Sequence, residues 1–567
     1  MLTPDTHSDF PDAVAQIVGD GQLLTSNSRT RYYRTGIRIG GGACCAVVLP
    51  TTLLQLWQVL QVCIKHDKII IIQAANTGLN GGSTPFGDDY DREIVIINTL
   101  KINQIFLLNQ GRQALALAGS TLYQLEDALR PLQRSPHSVI GSSCIGASVI
   151  GGVCNSSGGN LVNRGPAYTE LSLYAQLTEG GELQLINHLG IDLGDSPEEI
   201  LTRLQQGNFD HGPGLDTAMA SDREYQQRVR DIDADTPARF NADQRRLHES
   251  SGCAGKLAVF AVRLDTFAEP TREQVLYIGT NNPDELTRIR KHILTRFETL
   301  PEMAEYMHRS YFDGADHYCK DTFLAIKYFG TAFLPKLFAF KARADNVLDK
   351  LPFLPNKLVD RSLQFIADKL MPDHLPKRIR DYRDRFEHYL IIKAIDDSIE
   401  TTRQLLNEIF ADSREGEFFA CNRKEGEAIL LHRFVAGGAS TRFALLHGDK
   451  IDGLMPLDIA LPRNDDNWHN LYPKEITDKL AADFRLAHFF CMVFHHDFVV
   501  KNGVDMEKLK EEMLAILDER GAKYPAEHNV GHLYQAESQL AEFYRECDPT
   551  NSFNPGIGKT SKCRHYQ

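Results

Sequence analysis

The sequence predicts an α+β protein with two units, and three features of the 567-residue chain indicate it. Helix and strand patterns alternate up to about residue 265, in what resembles an α/β unit, and two long loops of small residues interrupt them. A smaller α+β pattern follows, at about residues 275–300 and again at 398–410. Because 42% of the residues are hydrophobic, each unit can bury a core of its own.

The first unit begins with a helix, a strand and a loop. Apolar spacing predicts a helix over residues 53–66, and residues 68–73 are typical of a buried β-branched strand. Another strand is predicted at 94–98, so the loop 74–85 is held between two strands, and a later strand is expected within 256–267.

Composition excludes several classes of protein. The net charge of -13 disfavours a nucleic-acid partner, because neutralising phosphates needs a basic surface. Eleven cysteines without a CxxC pair, and a start without a signal peptide, favour a reducing cytoplasm. No window holds eighteen uninterrupted apolar residues, and apolar stretches such as 486–500 are broken by histidines and an aspartate, so we expect no membrane-spanning helix.

The loop 74–85 suits a pyrophosphate, which needs several backbone N–H groups at close range. The candidate donors are the small residues of this loop. They are Ala74, Ala75, Asn76, Thr77, Gly78, Gly82 and Ser83. No GxGxxG follows a strand, and Phe553 stands where a phosphate loop ending in Gly558-Lys559-Thr560 needs glycine. A set of tight turns is the alternative interpretation.

A second stretch of small residues, 141–159, suits a low wall against which a flat aromatic ring lies. The alternative is a closely packed turn region. Three strings carry a resemblance: NTGLNGGST at 76–84, PHSVIGSSCIGASVIGG at 136–152 and DPTNSFNPG at 548–556. With them the chain resembles the FAD-linked oxidases of the vanillyl-alcohol-oxidase fold, and within these the bacterial respiratory branch that oxidises D-lactate and reduces a membrane quinone.

The resemblance implies an FAD-binding domain at 1–265, completed by 525–567, and a substrate cap at 266–524. It implies that the loop residues above hold the FAD pyrophosphate. It also implies that Gly141, Ser148 and Gly158 line the flavin, with a backbone contact from Val259. Covalent attachment of FAD in this family uses a His or Cys near the first loop. Because no histidine lies in 74–85, we expect non-covalent FAD.

The resemblance also implies a catalytic base, His528, in an element that begins with Glu527. This histidine would take the hydroxyl proton of the substrate, and an imidazole suits the role because its ordinary pKa is near working pH. A buried histidine bonded to backbone is the alternative.

Relatives that act on 2-hydroxy acids bind a divalent metal through this Glu and two histidines seven apart. His488 and His495 have that separation, and such ligands suit zinc or manganese. The relatives place a Gly-Asp-Gly-Asn turn between the two histidines, whereas this chain has FFCMVF at 489–494. On an uninterrupted strand, two residues an odd number apart point to opposite faces, so whether a metal binds here stays open. The neighbouring His496 has no assigned role.

A carboxylate substrate needs a fixed guanidinium. Arg433 lies where relatives carry a substrate arginine, although His432 precedes it here, and Arg463 is the second choice. An ion pair is the alternative role for either.

Residues 331–380 hold six Lys and four Arg against five Asp and no Glu, which gives +5 in an acidic chain. Apolar residues and prolines interrupt this segment, as in short amphipathic pieces. With the resemblance, it predicts a membrane-binding insertion at 330–385. The insertion would hold the protein on anionic lipids at the cytoplasmic face of the inner membrane, where ubiquinone or menaquinone accepts electrons. A solvated insertion packed on the cap is the alternative.

Three other functions stay open. One is oxidation of another D-2-hydroxy acid. A metal-dependent hydrolase would use the same histidines and glutamate to activate water. A non-catalytic membrane-binding protein would rest on the basic segment alone.

Overall fold

The computed structural model describes residues 9–138, 146–210, 218–331, 358–448 and 450–567. The helices described are α1 Asp9–Val18, α2 Asn27–Arg34, α3 Leu53–Lys65, α4 Leu122–Leu129, α5 Val149–Cys154, α6 Pro197–Gln206, α7 Tyr225–Arg230, α8 Pro283–Arg296, α9 Arg309–Tyr318, α10 Lys320–Phe329, α11 Leu358–Lys369, α12 Lys377–Arg385, α13 Ser398–Phe410, α14 Arg423–Ala436, α15 Ala439–Leu446, α16 Lys474–Thr477, α17 Met506–Glu519 and α18 Ser538–Cys547. The strands described are β1 Leu23–Leu24, β2 Ala46–Val48, β3 Ile69–Gln73, β4 Ile94–Asn98, β5 Ile105–Leu108, β6 Gln113–Leu117, β7 Arg134–Ser135, β8 Ser172–Leu177, β9 Leu183–Asn187, β10 Ala258–Asp265, β11 Phe267–Ala268, β12 Glu273–Thr280, β13 Met303–His308, β14 His388–Ile395, β15 Gly416–Ala420, β16 Ile451–Ala460, β17 Leu480–His488 and β18 Val493–Lys501.

The first sheet has the order β1-β2-β4-β3, with β2, β4 and β3 parallel. The helix predicted at 53–66 and the strand at 68–73 are confirmed within one residue at each end. Thr52 begins α3 by accepting a hydrogen bond from the Gln55 amide, which satisfies one of the unpaired donors at the helix start. Parallel pairing places the loop after β3 at the carboxyl edge of the sheet, where ligands bind in such sheets.

The alternating α/β pattern ends at β4. The next sheet has the order β5-β6-β10-β8-β9, and its strands pair antiparallel. The strand expected within 256–267 is divided into β10 and β11. The sequence prediction of one α/β unit up to residue 265 is therefore wrong beyond β4, because the strands that follow pair antiparallel and do not require the helical crossovers of parallel strands.

The cap contains an antiparallel sheet of order β15-β12-β14-β13-β17-β18-β16. The elements predicted at 275–300 and 398–410 correspond to β12 with α8 and to α13. One face of the sheet packs on α8, α13 and α17, and the other packs on α9 and α14. Each face therefore has its own core, and polar residues at the strand ends meet at the edges of these cores.

The predicted membrane insertion is described only in part, since residues 332–357 lie outside the described chain. Helix α12 is joined to the cap by ion pairs from Arg380 to Asp316 and from Arg383 to Asp313. Large apolar side chains on or next to α10 and α11 are exposed. They are Tyr328, Phe329, Phe365, Ile366 and Leu370. No helix in the described ranges is long and apolar enough to cross a bilayer.

Candidate active site

The loop after β3 is an open cradle of backbone amides. Asn76 has φ 54°, its Nδ2 donates to the Thr35 carbonyl at 2.9 Å, and its Oδ1 accepts from Ser83 Oγ at 2.8 Å. No described residue accepts a hydrogen bond from the backbone amides of Asn76, Thr77 and Gly78. A Cβ added at Gly78 would meet nothing within 4 Å. Unused amides beside open space fit a pyrophosphate.

The C-terminal segment closes this cradle. Asn80 donates to the Asn529 carbonyl at 2.6 Å and accepts, through its own carbonyl, from the His532 amide. Asn554 Nδ2 donates to the Gly82 carbonyl at 2.8 Å, and the Asn554 amide donates to the Ile70 carbonyl. The last forty residues are thus bonded to the loop predicted to hold FAD.

The predicted flavin wall is described except for Gly141, which lies outside the described residues. Ser148 caps α5, its Oγ accepting from the Gly151 amide at 3.1 Å. Val259 is buried in β10 where its register with β8 shifts. A Cβ at Gly158 would lie 2.6 Å from Glu527 Oε1, so only glycine permits this approach. Gly158 therefore connects the wall with the predicted metal ligands.

His488 and His495 lie on the same face of the cap sheet. His488 ends β17, a 3-10 turn spans Phe489–Cys491, and β18 then returns so that His495 pairs with Leu486. Because the chain reverses direction between the two histidines, their odd separation does not place them on opposite faces of the sheet. Their ring centroids are 4.9 Å apart.

Glu527 joins the two histidines. Its Oε2 lies 3.3 Å from His488 Nε2 and 3.7 Å from His495 Nε2, and one ligand atom from each residue lies within 4.8 Å of the others. Two imidazoles and a carboxylate form the donor set of many catalytic zinc sites, and it leaves positions for substrate. These residues fit a divalent metal.

Glu305 is a residue that the sequence analysis missed. It is buried on β13 opposite His488, and its Oε1 lies 2.6 Å from His488 Nδ1. Its Oε2 lies 2.7 Å from Arg433 Nη2. Although burial acts in the opposite direction, Arg433 and His488 hold the pKa of Glu305 below its usual range. Likewise Glu305 and Glu527 overcome burial and raise the pKa of His488 to about 9.

Asp458 was also missed, and it joins His495 to His528. It pairs with His495 across β16 and β18, with Oδ1 3.2 Å from His495 Nδ1. Its Oδ2 accepts from the backbone amides of Glu527 at 2.8 Å and His528 at 3.2 Å. This carboxylate therefore fixes the backbone that carries the predicted base.

The His528 side chain is 38% exposed, whereas that of Asp458 is 9% exposed. The imidazole can therefore meet a substrate. Its Nε2 lies 3.9 Å from Asp458 Oδ2. Burial lowers the pKa of His528, and Asp458 partly offsets this. The lowered pKa favours the neutral imidazole, which is the form able to accept a proton.

Arg239 holds the other oxygen of Glu527. It is buried, and its Nη2 donates to Glu527 Oε1 and to the Gly159 carbonyl. Arg239 and His488 outweigh burial and lower the pKa of Glu527 well below its usual range. No sequence motif around residue 239 indicates this role. Glu305 and Asp458, by contrast, are acids flanked by apolar residues within strands, a signal that the sequence contains.

The two candidate arginines have different surroundings. Arg433, on α14, reaches Glu305, while His432 points away and its Nε2 lies 3.2 Å from the Phe312 carbonyl. Arg463 instead donates to the backbone carbonyls of Thr236 and Arg228, so it anchors a loop. The structure brings Arg433 alone of the two to the ion-pair network of His488 and Glu305.

Two family models match this chain. A model described as FAD binding domain matches residues 45–182, and one described as D-lactate dehydrogenase, membrane binding, matches residues 275–566. Neither supports a metal-dependent hydrolase. The chain thus carries a membrane-binding domain as well as an FAD-binding domain.

Solved structures share the fold. A p-cresol methylhydroxylase with substrate bound is 13% identical with a TM-score of 0.56, over 99% of this chain and 98% of that one. The 4-ethylphenol oxidase from Gulosibacter chungangensis, in complex with isoeugenol, is 12% identical with a TM-score of 0.57, over 98% of both chains. The predicted FAD-binding fold of the vanillyl-alcohol-oxidase type is confirmed.

Curated relatives match over the full length. The quinone-dependent D-lactate dehydrogenase of Escherichia coli is 54% identical, over 100% of this chain and 99% of its own. That of Haemophilus influenzae is 52% identical over 98% of both chains, and that of Corynebacterium glutamicum is 45% identical over 99% and 98%. The chain therefore belongs to the quinone-dependent D-lactate dehydrogenase family.

Proposed function

We propose that this protein oxidises D-lactate to pyruvate with FAD and passes the electrons to a membrane quinone. The observation that carries the proposal is the position of Glu527. It lies against Gly158 of the predicted flavin wall and is followed directly by His528. A proton acceptor thus stands beside the wall where an aromatic ring would lie.

FAD would be held non-covalently, and when bound it supplies the two-electron acceptor. Backbone amides around Asn76, Thr77 and Gly78 would hold its pyrophosphate, together with Ala74, Ala75, Gly82 and Ser83. Ser148, Gly158 and Val259 would lie along the flavin, as would Gly141. Support comes from the unused amides of the cradle and from the FAD binding domain matched over 45–182.

Residues of the cap, together with the segment at 527–528, bind and deprotonate the substrate. The Arg433 guanidinium, held by Glu305, binds the lactate carboxylate, and paired N–H donors set its orientation. Neutral His528 takes the proton of the substrate hydroxyl, with Asp458 fixing its backbone and facing its ring. His488, His495 and Glu527 would hold a divalent metal, which supplies a Lewis acid for the hydroxyl and carboxylate oxygens.

The domain division we propose is an FAD-binding domain of residues 1–265 and 525–567, with a cap of 266–524. Within the cap, residues 330–385 would meet the cytoplasmic face of a bacterial inner membrane rich in anionic lipids. The exposed side chains of Phe329, Phe365 and Leu370 support this. Ubiquinone or menaquinone would accept the electrons.

The test is anaerobic mixing of the FAD-containing protein with D-lactate, L-lactate and D-2-hydroxyglutarate, following the visible flavin absorbance. We expect rapid bleaching by D-lactate alone. Bleaching by D-2-hydroxyglutarate alone would support the alternative of another D-2-hydroxy acid. A flavin that none of the three bleaches would contradict the substrate assignment.

A further inference from the structure

A second group of histidines lies on the opposite face of the strands that carry the active site. On β13, Glu305 faces His488, whereas His308 is three residues further and points to the other side of the sheet. His308 ends β13 and pairs directly with His388, which begins β14. Glu387 immediately precedes His388.

These three side chains converge. One ligand atom from each of His308, His388 and Glu387 lies within 4.8 Å of the other two, and the imidazole centroids are 5.3 Å apart. Donors of a tetrahedral zinc site lie roughly 3.4 Å from one another, given metal–ligand distances of about 2.0–2.1 Å. Glu387 is exposed, so its carboxylate can close the remaining distance.

Hydrogen bonds orient both imidazoles. His388 Nδ1 lies 2.8 Å from the Tyr306 hydroxyl, and His308 Nδ1 lies 2.9 Å from Ser310 Oγ. Metal-binding histidines use their second nitrogen in this way, and here Nε2 of each ring is left for a ligand. The Ser310 amide also donates to His308 Nδ1, so ligation through Nε2, which places the ring proton on Nδ1, would replace this bond with one from Nδ1 to Ser310 Oγ.

Two arginines, Arg485 and Arg309, lie near both imidazoles, and each has an acidic side chain beside it. Arg485 is itself bonded to Asp483, and Arg309 Nη1 is 3.8 Å from Glu387 Oε1. The positive charge of each arginine is thus partly offset by an acidic side chain.

His496, which the sequence analysis left unexplained, belongs to this side of the sheet. It pairs with Arg485 and interacts electrostatically with His308. It is buried, and its Nδ1 has no hydrogen-bond partner among the described residues. A buried imidazole nitrogen without a partner is costly unless something polar lies next to it.

We propose that His308, His388 and Glu387 bind a second divalent transition-metal cation, of the class of Zn²⁺, independently of the active site. Two nitrogens and one oxygen are the donors, and water completes the coordination. The cation joins the end of β13 to the start of β14, so its role is to stabilise the cap sheet.

The test uses the FAD-containing protein, stripped with a chelator and equilibrated with Zn²⁺, with bound zinc counted by mass spectrometry. Wild type should bind one equivalent more than the His388→Gln variant. The His488→Gln/His495→Gln double variant should keep that equivalent, so the result does not depend on the active-site metal. Equal zinc binding by wild type and His388→Gln would overturn the proposal.

Glu387→Gln is a surface change, so it tests the proposal even if the His388→Gln variant misfolds. It should weaken Zn²⁺ binding at this group by at least about tenfold, the loss that even a supporting residue causes at a metal site. It should leave D-lactate oxidation and the flavin spectrum unchanged. Glu408→Gln, an exposed change on α13, is the matched control. Unaltered zinc affinity in Glu387→Gln would contradict the proposed coordination.

Discussion

The cradle and the histidine cluster, which reaches Gly158 through Glu527, are built in different ways. The cradle consists of main-chain amides in one short loop after β3, and contacts from the C-terminal segment close it. The cluster consists of side chains from β13, α14, β16, β17, β18 and the segment at 527–528. The residues of the cradle are neighbours in the sequence, whereas those of the cluster come together only when the strands of the cap sheet have paired.

This difference predicts that the two halves fail separately. A loop of backbone donors tolerates side-chain changes that keep its conformation, because the donors are in the backbone. A buried network of charges does not, since removing one partner leaves another charge unpaired. Changes in the cradle should therefore alter FAD binding alone, and changes in the cluster should alter metal and substrate binding with FAD retained.

The largest effect is expected from Glu527→Gln. It removes a metal ligand and leaves buried Arg239 without its carboxylate, which should lower the free energy of unfolding by about 3–5 kcal/mol. Denaturant unfolding and metal content would measure the two consequences. Glu537→Gln, which breaks the ion pair with Lys523 at the surface, is the control and should change neither. Full metal content in Glu527→Gln would contradict its place as a ligand.

A smaller effect is expected from Arg433→Lys. The charge facing Glu305 remains, but the planar pair of donors for a carboxylate is lost, at about 2 kcal/mol or roughly 30-fold in KM for D-lactate. Steady-state kinetics would show a raised KM with flavin content unchanged. Arg423→Lys, an exposed change on the same helix, should behave as wild type. An unchanged KM would show that another group binds the carboxylate of D-lactate.

Glu305→Gln should weaken metal binding by about 10- to 100-fold, because a carboxylate behind a ligating histidine fixes the ring and its basicity. Metal titration of the stripped, FAD-containing protein would measure it. Glu417→Gln, a surface ion-pair partner of Arg385, is the control. If metal affinity were unaltered while the KM for D-lactate rose, Glu305 would position Arg433 and not the metal-binding His488.

The smallest effect is expected in the cradle. Asn76→Ala places alanine at φ 54° and removes the bonds to Thr35 and Ser83, so we expect FAD affinity to fall by about tenfold, or ~1.4 kcal/mol. Fluorescence titration with FAD would measure this. Metal content should stay at the wild-type value, as it should in the surface control Asn27→Ala. Loss of metal in Asn76→Ala would contradict the claim that the cradle and the histidine cluster fail separately.

The local half of the molecule could be predicted from the sequence. The strands β3 and β4, helix α3 and the loop of small residues between the strands follow from apolar runs and from glycine content. The pairing of antiparallel strands after β4 could not be predicted in this way, because a strand pattern does not reveal which neighbour it will have.

The cluster could be predicted only in part. His528, Glu527 and the two histidines were found through family motifs, but Glu305 and Asp458 reach them through strand register. Their signal is a carboxylate flanked by apolar residues within a strand, which costs too much to bury without a partner. The partner is known only once the strands are paired. Arg239, in an irregular segment, gave no such signal.

The most direct test of the central claim is the rate of flavin reduction by D-lactate in His528→Asn, measured by anaerobic stopped flow beside wild type and the exposed control His292→Asn. We predict that His528→Asn binds FAD as wild type does, while flavin reduction slows by about 10³, the contribution of a positioned base. Reduction of the flavin in His528→Asn at the wild-type rate would contradict the claim that this residue takes the substrate proton.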